Sequence, residues 1–180
     1  MSALVPSLMD QEFIRMIRGN INAFLRQAAV TYGSGAARLL DIAPQVHEGA
    51  RAFFPAEVAV ETLDIDPHSG CTYIGDICDQ NTSIPDDSFD LVVCTEVLEH
   101  TLHPFNAVAE MRRMLKPGGM LLLSVPFNFR IHGPLPDCWR FTEHGLRALL
   151  SEFEVVELNA LETEDRPLMP IQYTVVARKI

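Results

Sequence analysis

The segment from Met120 to Val125, Met-Leu-Leu-Leu-Ser-Val, constrains this chain more than any other. Only Ser124 interrupts it, so it has no polar face to turn toward water. A strand of that kind belongs at the centre of a parallel sheet covered on both sides. The charge-free stretch around it, between Lys116 and Arg130, is too short for a membrane span and is broken by Pro126 and Asn128. Just upstream, Lys116-Pro117-Gly118-Gly119 stops a helix in the usual way, with a cation followed by proline and glycine.

Other segments fall into place around that strand. Ala37 to Ile42, Glu57 to Leu63, Cys71 to Ile74, Phe89 to Cys94, Phe153 to Leu158 and Tyr173 to Arg178 read as six more strands. Phe13, Ile14, Ile17, Ile21, Phe24 and Leu25 recur at helical spacing between Ser7 and Val30. A second helix is expected from Pro104 to Leu115, and a third from an N-cap at Thr142 to about Leu150. Strands alternating with helices predict an α/β, Rossmann-like sheet, mostly parallel. Asn159 to Gln172 holds two prolines and no helical period, so the final two strands are most simply antiparallel. Pro67 to Gly70 and Ile77 to Ser88 offer no helix either. One flank with reduced helices is therefore left to the N-terminal helix or to the second subunit of a homodimer. The expected division is residues 1–36 as helix and linker and 37–180 as core.

The 180 residues suit a single domain. Asp and Glu outnumber Lys and Arg by 24 to 14, which argues against a nucleic-acid partner, since such binders present a basic stripe. Four scattered cysteines make no disulfide framework, and Cys94 reads as a buried free thiol. The first residues lack the basic and apolar regions of a signal peptide, so a cytoplasmic location, away from membranes, is expected.

Ligands of open α/β sheets bind beyond the carboxyl ends of the strands, near the point where strand order reverses. Four acids fall there: Asp41, Asp64, Asp76 and Glu96. Acids at strand ends also cap turns, but a carboxylate after the second strand can accept both hydroxyls of a ribose. Asp64 is the best placed, with Asp66 close by.

Asp64-Ile-Asp-Pro, Asp76-Ile, Pro85-Asp-Asp-Ser-Phe-Asp-Leu-Val-Val-Cys-Thr-Glu-Val-Leu-Glu-His100 and Leu115-Lys-Pro-Gly-Gly-Met-Leu-Leu-Leu-Ser-Val-Pro126 resemble the class I S-adenosylmethionine-dependent methyltransferases of the type 11 group. The likeness runs from about Arg38 to Lys179. It implies a seven-stranded sheet with an antiparallel last strand and S-adenosyl-L-methionine as cofactor. Asp64 and Ile65 would meet the ribose, and Asp76 the adenine amine, with Ile77 against the ring. Glu96 and Leu98 would lie beside the methionine part, and Asp41, Ala43 and Gln45 would form the loop that approaches the cofactor.

That loop departs from the family pattern Asp-x-Gly-x-Gly, reading Asp41-Ile42-Ala43-Pro44-Gln45. Ala43 is a small change at negative φ, and Pro44 biases it toward extended backbone. Gln45 in a left-handed position would cost about 1 kcal/mol. Gln45 or His47 would otherwise supply polar contacts that glycine leaves to the backbone.

Beyond the Met120–Val125 strand, Phe127 to Thr142 resembles a Pro-x-Asp-aromatic-aromatic-Arg-aromatic-Thr segment of some small methyltransferases. It offers Trp139 and Arg140 as substrate contacts, against a structural reading as core filler and ion-pair partner. Glu96, His100, His132 and Asp137 are the candidate catalytic bases. His100 and His103 stand one helical turn apart, but no Cys or Asp pattern completes a site, and no metal is expected. The resulting expectation is direct in-line methyl transfer to a small-molecule or glycan-type acceptor. The alternative is a non-catalytic methyltransferase-like domain serving as a binding or assembly partner. A nicotinamide enzyme is disfavoured by the missing Gly-x-Gly-x-x-Gly and by the final antiparallel pair.

Overall fold

The computed structural model describes residues 5–44 and 49–180. Helix α1 (Leu8–Tyr32) opens with a capping box, in which Ser7 accepts from the Asp10 amide and Asp10 accepts from the Ser7 amide. Seven strands follow: β1 (Arg38–Ile42), β2 (Ala59–Asp64), β3 (Tyr73–Ile74), β4 (Phe89–Thr95), β5 (Leu115–Pro126), β6 (Phe153–Leu161) and β7 (Gln172–Lys179). Helices α2 (Pro104–Met114) and α3 (Glu143–Leu149) flank β5 in the chain. The Thr142 hydroxyl caps α3 by accepting from the Gly145 amide. Strand order is β3-β2-β1-β4-β5-β7-β6, parallel except for β7, which runs antiparallel to both neighbours. The strand order reverses between β1 and β4, which form a parallel pair there.

The Met120–Val125 strand is indeed central and buried on both faces. It is longer than its apolar run, because Leu115 already pairs with Phe89 before the register shifts at Leu91. Gly118 supports that irregularity with a φ of 77°. On one face, α2 and α3 bury Val108, Met111, Leu146 and Leu149 against Leu121, Leu123, Val125 and Val175. On the other, α1 lays Leu25, Ala28 and Ala29 over Leu39, Leu91, Val93 and Leu122. The flank without crossover helices is thus covered by the N-terminal helix. The helix-free connection before β4 is held by α2: Arg113 donates to the Ile84 and Asn81 carbonyls, and Glu110 accepts from the Asn81 amide.

Candidate active site

At the carboxyl end of β1 the chain reverses at Ala43, whose φ of 49° lies in the left-handed region. The expected negative φ is not what the fold adopts. A 2.7 Å bond from the Ala43 amide to the Leu63 carbonyl continues the ladder with β2 and sets the turn. A side chain there costs about 1 kcal/mol relative to glycine. At the end of β4, Glu96 is left-handed too, with a φ of 54°, and donates its amide to the Ser124 carbonyl of β5. Two non-glycine residues thus hold unfavourable backbone on adjacent strand ends, an arrangement found where side chains are aimed at a site.

Those turns border a cavity of about 760 Å³ between the sheet edge and α1. Its lining includes Asp41, Ala43, Thr95 and Glu96 from the sheet, Ile14, Ile17, Arg18 and Ile21 from α1, and Phe129 and His132 from the segment after β5. The size lies within the range of small-molecule sites. The Glu96 carboxylate accepts from Ser124 Oγ and Gln172 Nε2, each at 2.8 Å. Gln172 in turn accepts from Asn20 of α1. Burial and the nearby Glu99 carboxylate push Glu96 up to about 7. Asp41 is 3% exposed and accepts from the Ala50 amide at 2.7 Å, and burial raises it to about 6. Gly49 is required beside it, because a Cβ there would strike the Asp41 carboxylate.

The remaining expected residues take other places. Asp64 and Asp76 stand along the same edge, at the end of β2 and just after β3, outside this cavity. Each turns one oxygen to a nearby amide, Asp64 Oδ1 to Asp66 and Asp76 Oδ1 to Cys78. Each carboxylate keeps its second oxygen unengaged among the described residues. Ile65 is exposed, whereas Ile77 and Leu98 pack in the main core with Ile84 and Leu63, so neither lines the cavity. Gln45 and His47 lie outside the described residues. Trp139 donates its indole N–H to the Thr101 carbonyl, 2.8 Å away, and stacks on Phe141. Arg140 grips Asp137 through two nitrogens. Neither Trp139 nor Arg140 borders the cavity.

Asp137 is a poor base for a simple reason. Arg140 holds it down at about 2, and its remaining contacts are the amide and the imidazole Nδ1 of His132. His132 does face the cavity, and the Glu99 carboxylate, 3.6 Å away, raises its affinity for a proton. His100 is turned away, with Nδ1 2.9 Å from the Pro136 carbonyl. The sequence did not single out the individual α1 residues or Phe129 as cavity lining, although the apolar positions of α1 carried the signal.

Four acids along one carboxyl edge, of which Asp64 and Asp76 each keep an oxygen unengaged among the described residues, beside a cavity at the strand-order reversal, fit a ligand rich in hydroxyl and amino groups and bearing positive charge. A methyltransferase-domain family matches residues 19–123, more than half of the chain. The chain belongs to the methyltransferase-domain family. Its cofactor is S-adenosylmethionine. Demethylmenaquinone methyltransferase of Renibacterium salmoninarum is 30% identical over 122 residues, covering 62% of this chain and 49% of its own. The chain thus spans about half the length of that relative, and less of other curated relatives. A methyltransferase from Archaeoglobus fulgidus superposes with a TM-score of 0.68 at 18% identity, over 90% of this chain and 94% of that one. The (4+2)-cyclase SpnF superposes with a TM-score of 0.69 at 16% identity, over 89% and 80%. At such identities these two structures speak for the fold alone.

Proposed function

We propose that this methyltransferase-domain chain transfers a methyl group from S-adenosylmethionine directly, in line, to a small-molecule or glycan-type acceptor bound under α1. The observation that carries this reading is the cavity between Glu96 and α1 at the β1–β4 reversal. When bound, the cofactor supplies a methyl group on a cationic sulfonium. Asp64 would hold the ribose hydroxyls through its free oxygen, and Asp76 the adenine amine. Asp41 and Glu96 place negative charge at the cavity wall, which favours a cation there. Glu96, poised near 7, takes a proton from an acceptor hydroxyl or amine close to neutral pH. His132 lines the same wall. The apolar side chains of α1 exclude water and orient the acceptor, which is the protein's main contribution to a displacement whose leaving group is already activated. The described residues contain no helix long and apolar enough to cross a membrane, and a cytoplasmic location is part of this proposal.

Thermal unfolding with S-adenosylmethionine, S-adenosylhomocysteine and NAD tests the reading. A ligand at a hundred times its dissociation constant stabilises the fold by about 2.7 kcal/mol, an easily measured shift. Both sulfur ligands should raise the melting temperature and NAD should not, and Asp64→Ala should abolish the rise. No shift with either sulfur ligand at millimolar concentration would overturn the proposal in favour of a non-catalytic domain.

A further inference from the structure

Glu99 is the least comfortable side chain in the molecule. It is fully buried, and neither carboxylate oxygen has a hydrogen-bond partner among the described residues. A buried acid without donors costs several kcal/mol unless a cation answers it. Two imidazoles stand beside it. Nε2 of His100 and Nε2 of His132 each lie 3.6 Å from the same oxygen, Oε1. That separation is too long for a hydrogen bond. It is close to the roughly 3.4 Å expected between two ligand atoms each bound about 2.1 Å from one tetrahedral ion.

The other side of each ring is already committed. His100 Nδ1 is 2.9 Å from the Pro136 carbonyl, and His132 Nδ1 is 3.3 Å from the Arg130 carbonyl and 3.2 Å from Asp137 Oδ2. A carbonyl and a carboxylate can only accept, so each Nδ1 carries a proton, which leaves Nε2, facing Glu99, as the atom on which a metal ion would replace a second proton. Metal-binding histidines are oriented in this way, by an acceptor behind the ring. The loop that delivers His132 is fastened in advance. The Cys138 amide donates to the Glu99 carbonyl, Trp139 to the Thr101 carbonyl, and Arg140 clamps Asp137. The three ligating atoms lie within 4.8 Å of one another.

We propose that Glu99, His100 and His132 form a binding site for one divalent transition-metal ion, at the wall of the cavity that His132 lines. Two imidazoles and one carboxylate favour zinc, iron, manganese or cobalt over magnesium or calcium, which prefer oxygen donors. Asp137 and Arg140 are positioning residues for His132 and touch no ion themselves. His103, the helical-turn neighbour of His100 in sequence, lies outside the cluster.

The full chain, stripped with a chelator and kept free of S-adenosylmethionine, is titrated with Co²⁺, Zn²⁺, Mg²⁺ and Ca²⁺. Saturable binding of one equivalent of Co²⁺ and Zn²⁺ is expected, with visible Co²⁺ ligand-field bands and without saturation by Mg²⁺ or Ca²⁺. His132→Ala should lose the bands and weaken binding at least about tenfold, and His103→Ala should keep both. His100→Ala serves the same purpose if His132→Ala does not fold, with circular dichroism as the check. Absence of saturable Co²⁺ or Zn²⁺ binding, or binding unchanged in a folded His100→Ala or His132→Ala chain, overturns the site. Glu99 and His132 would then be a buried ion pair alone. The readout needs no cofactor, so its failure is separable from failure of the methyl-transfer reading.

Discussion

Asp41 keeps a carboxyl group where water scarcely reaches, and the folded chain bears a cost for ionising it. Its pKa is raised from 3.8 to about 6 by burial, with the Ala50 amide offsetting part of the effect. An acid raised on folding binds its proton more tightly in the native state, so the stability it contributes is greatest below about pH 4. It is lost as pH rises through the interval up to about 6. Asp41→Asn, which can still accept from Ala50, should therefore be more stable than the parent above pH 6, by at most about 3 kcal/mol. The difference should vanish near pH 4, and urea unfolding across that range measures it. Asp41 was legible in the sequence as an acid closing an apolar strand. Glu99 was not, because an acid reads by default as exposed and His132, which stands against it, comes from a loop that returns more than thirty residues later. Local pattern carries no trace of that meeting. Ala43 marks the opposite failure: a rule about the residue before proline pointed to extended backbone, and the ladder bond to Leu63 overrode it.

The elements around the cavity are tied by a short chain of side-chain bonds. Asn20 of α1 donates to Gln172 of β7, Gln172 donates to Glu96 beyond β4, and Ser124 of β5 donates to the same carboxylate. Gln172 is wholly buried, so Gln172→Leu would strand polar groups at both ends. A loss of about 2–6 kcal/mol in chemical denaturation is expected, since each of the two orphaned groups costs about 1–3. Ile21 presents a gentler test, because it lines the cavity from α1 and its apolar side chain takes no part in that chain of hydrogen bonds. Ile21→Ala should leave the S-adenosylmethionine thermal shift in place while raising the acceptor KM, once an acceptor is in hand. Strand and helix positions were readable from periodicity alone for α1, β4, α2 and β5's apolar half. The short β3 was read two residues too early at its start, and the Leu115–Gly119 extension was not read as strand at all, because the pairing of both depends on neighbouring strands.

For the molecule as a whole, the net charge of −10 includes four acids on one sheet edge. Association with duplex or single-stranded nucleic acid should be absent even at low salt, where phosphate attraction is strongest. A gel-shift titration checks this, and retardation at low protein concentration would contradict it. The antiparallel ending of the sheet was readable from a single helix-free connection. Its geometry has a further cost in time. β7 follows both β5 and β6 in the chain yet lies between them in the sheet. Until Gln172 to Lys179 emerge, β5 has an open edge that is apolar from Met120 to Val125 except at Ser124, a template for pairing with other chains. At roughly 5–20 residues per second, each nascent chain carries that open edge for seconds. Synthesis of this protein therefore includes an aggregation-prone interval that the finished fold conceals.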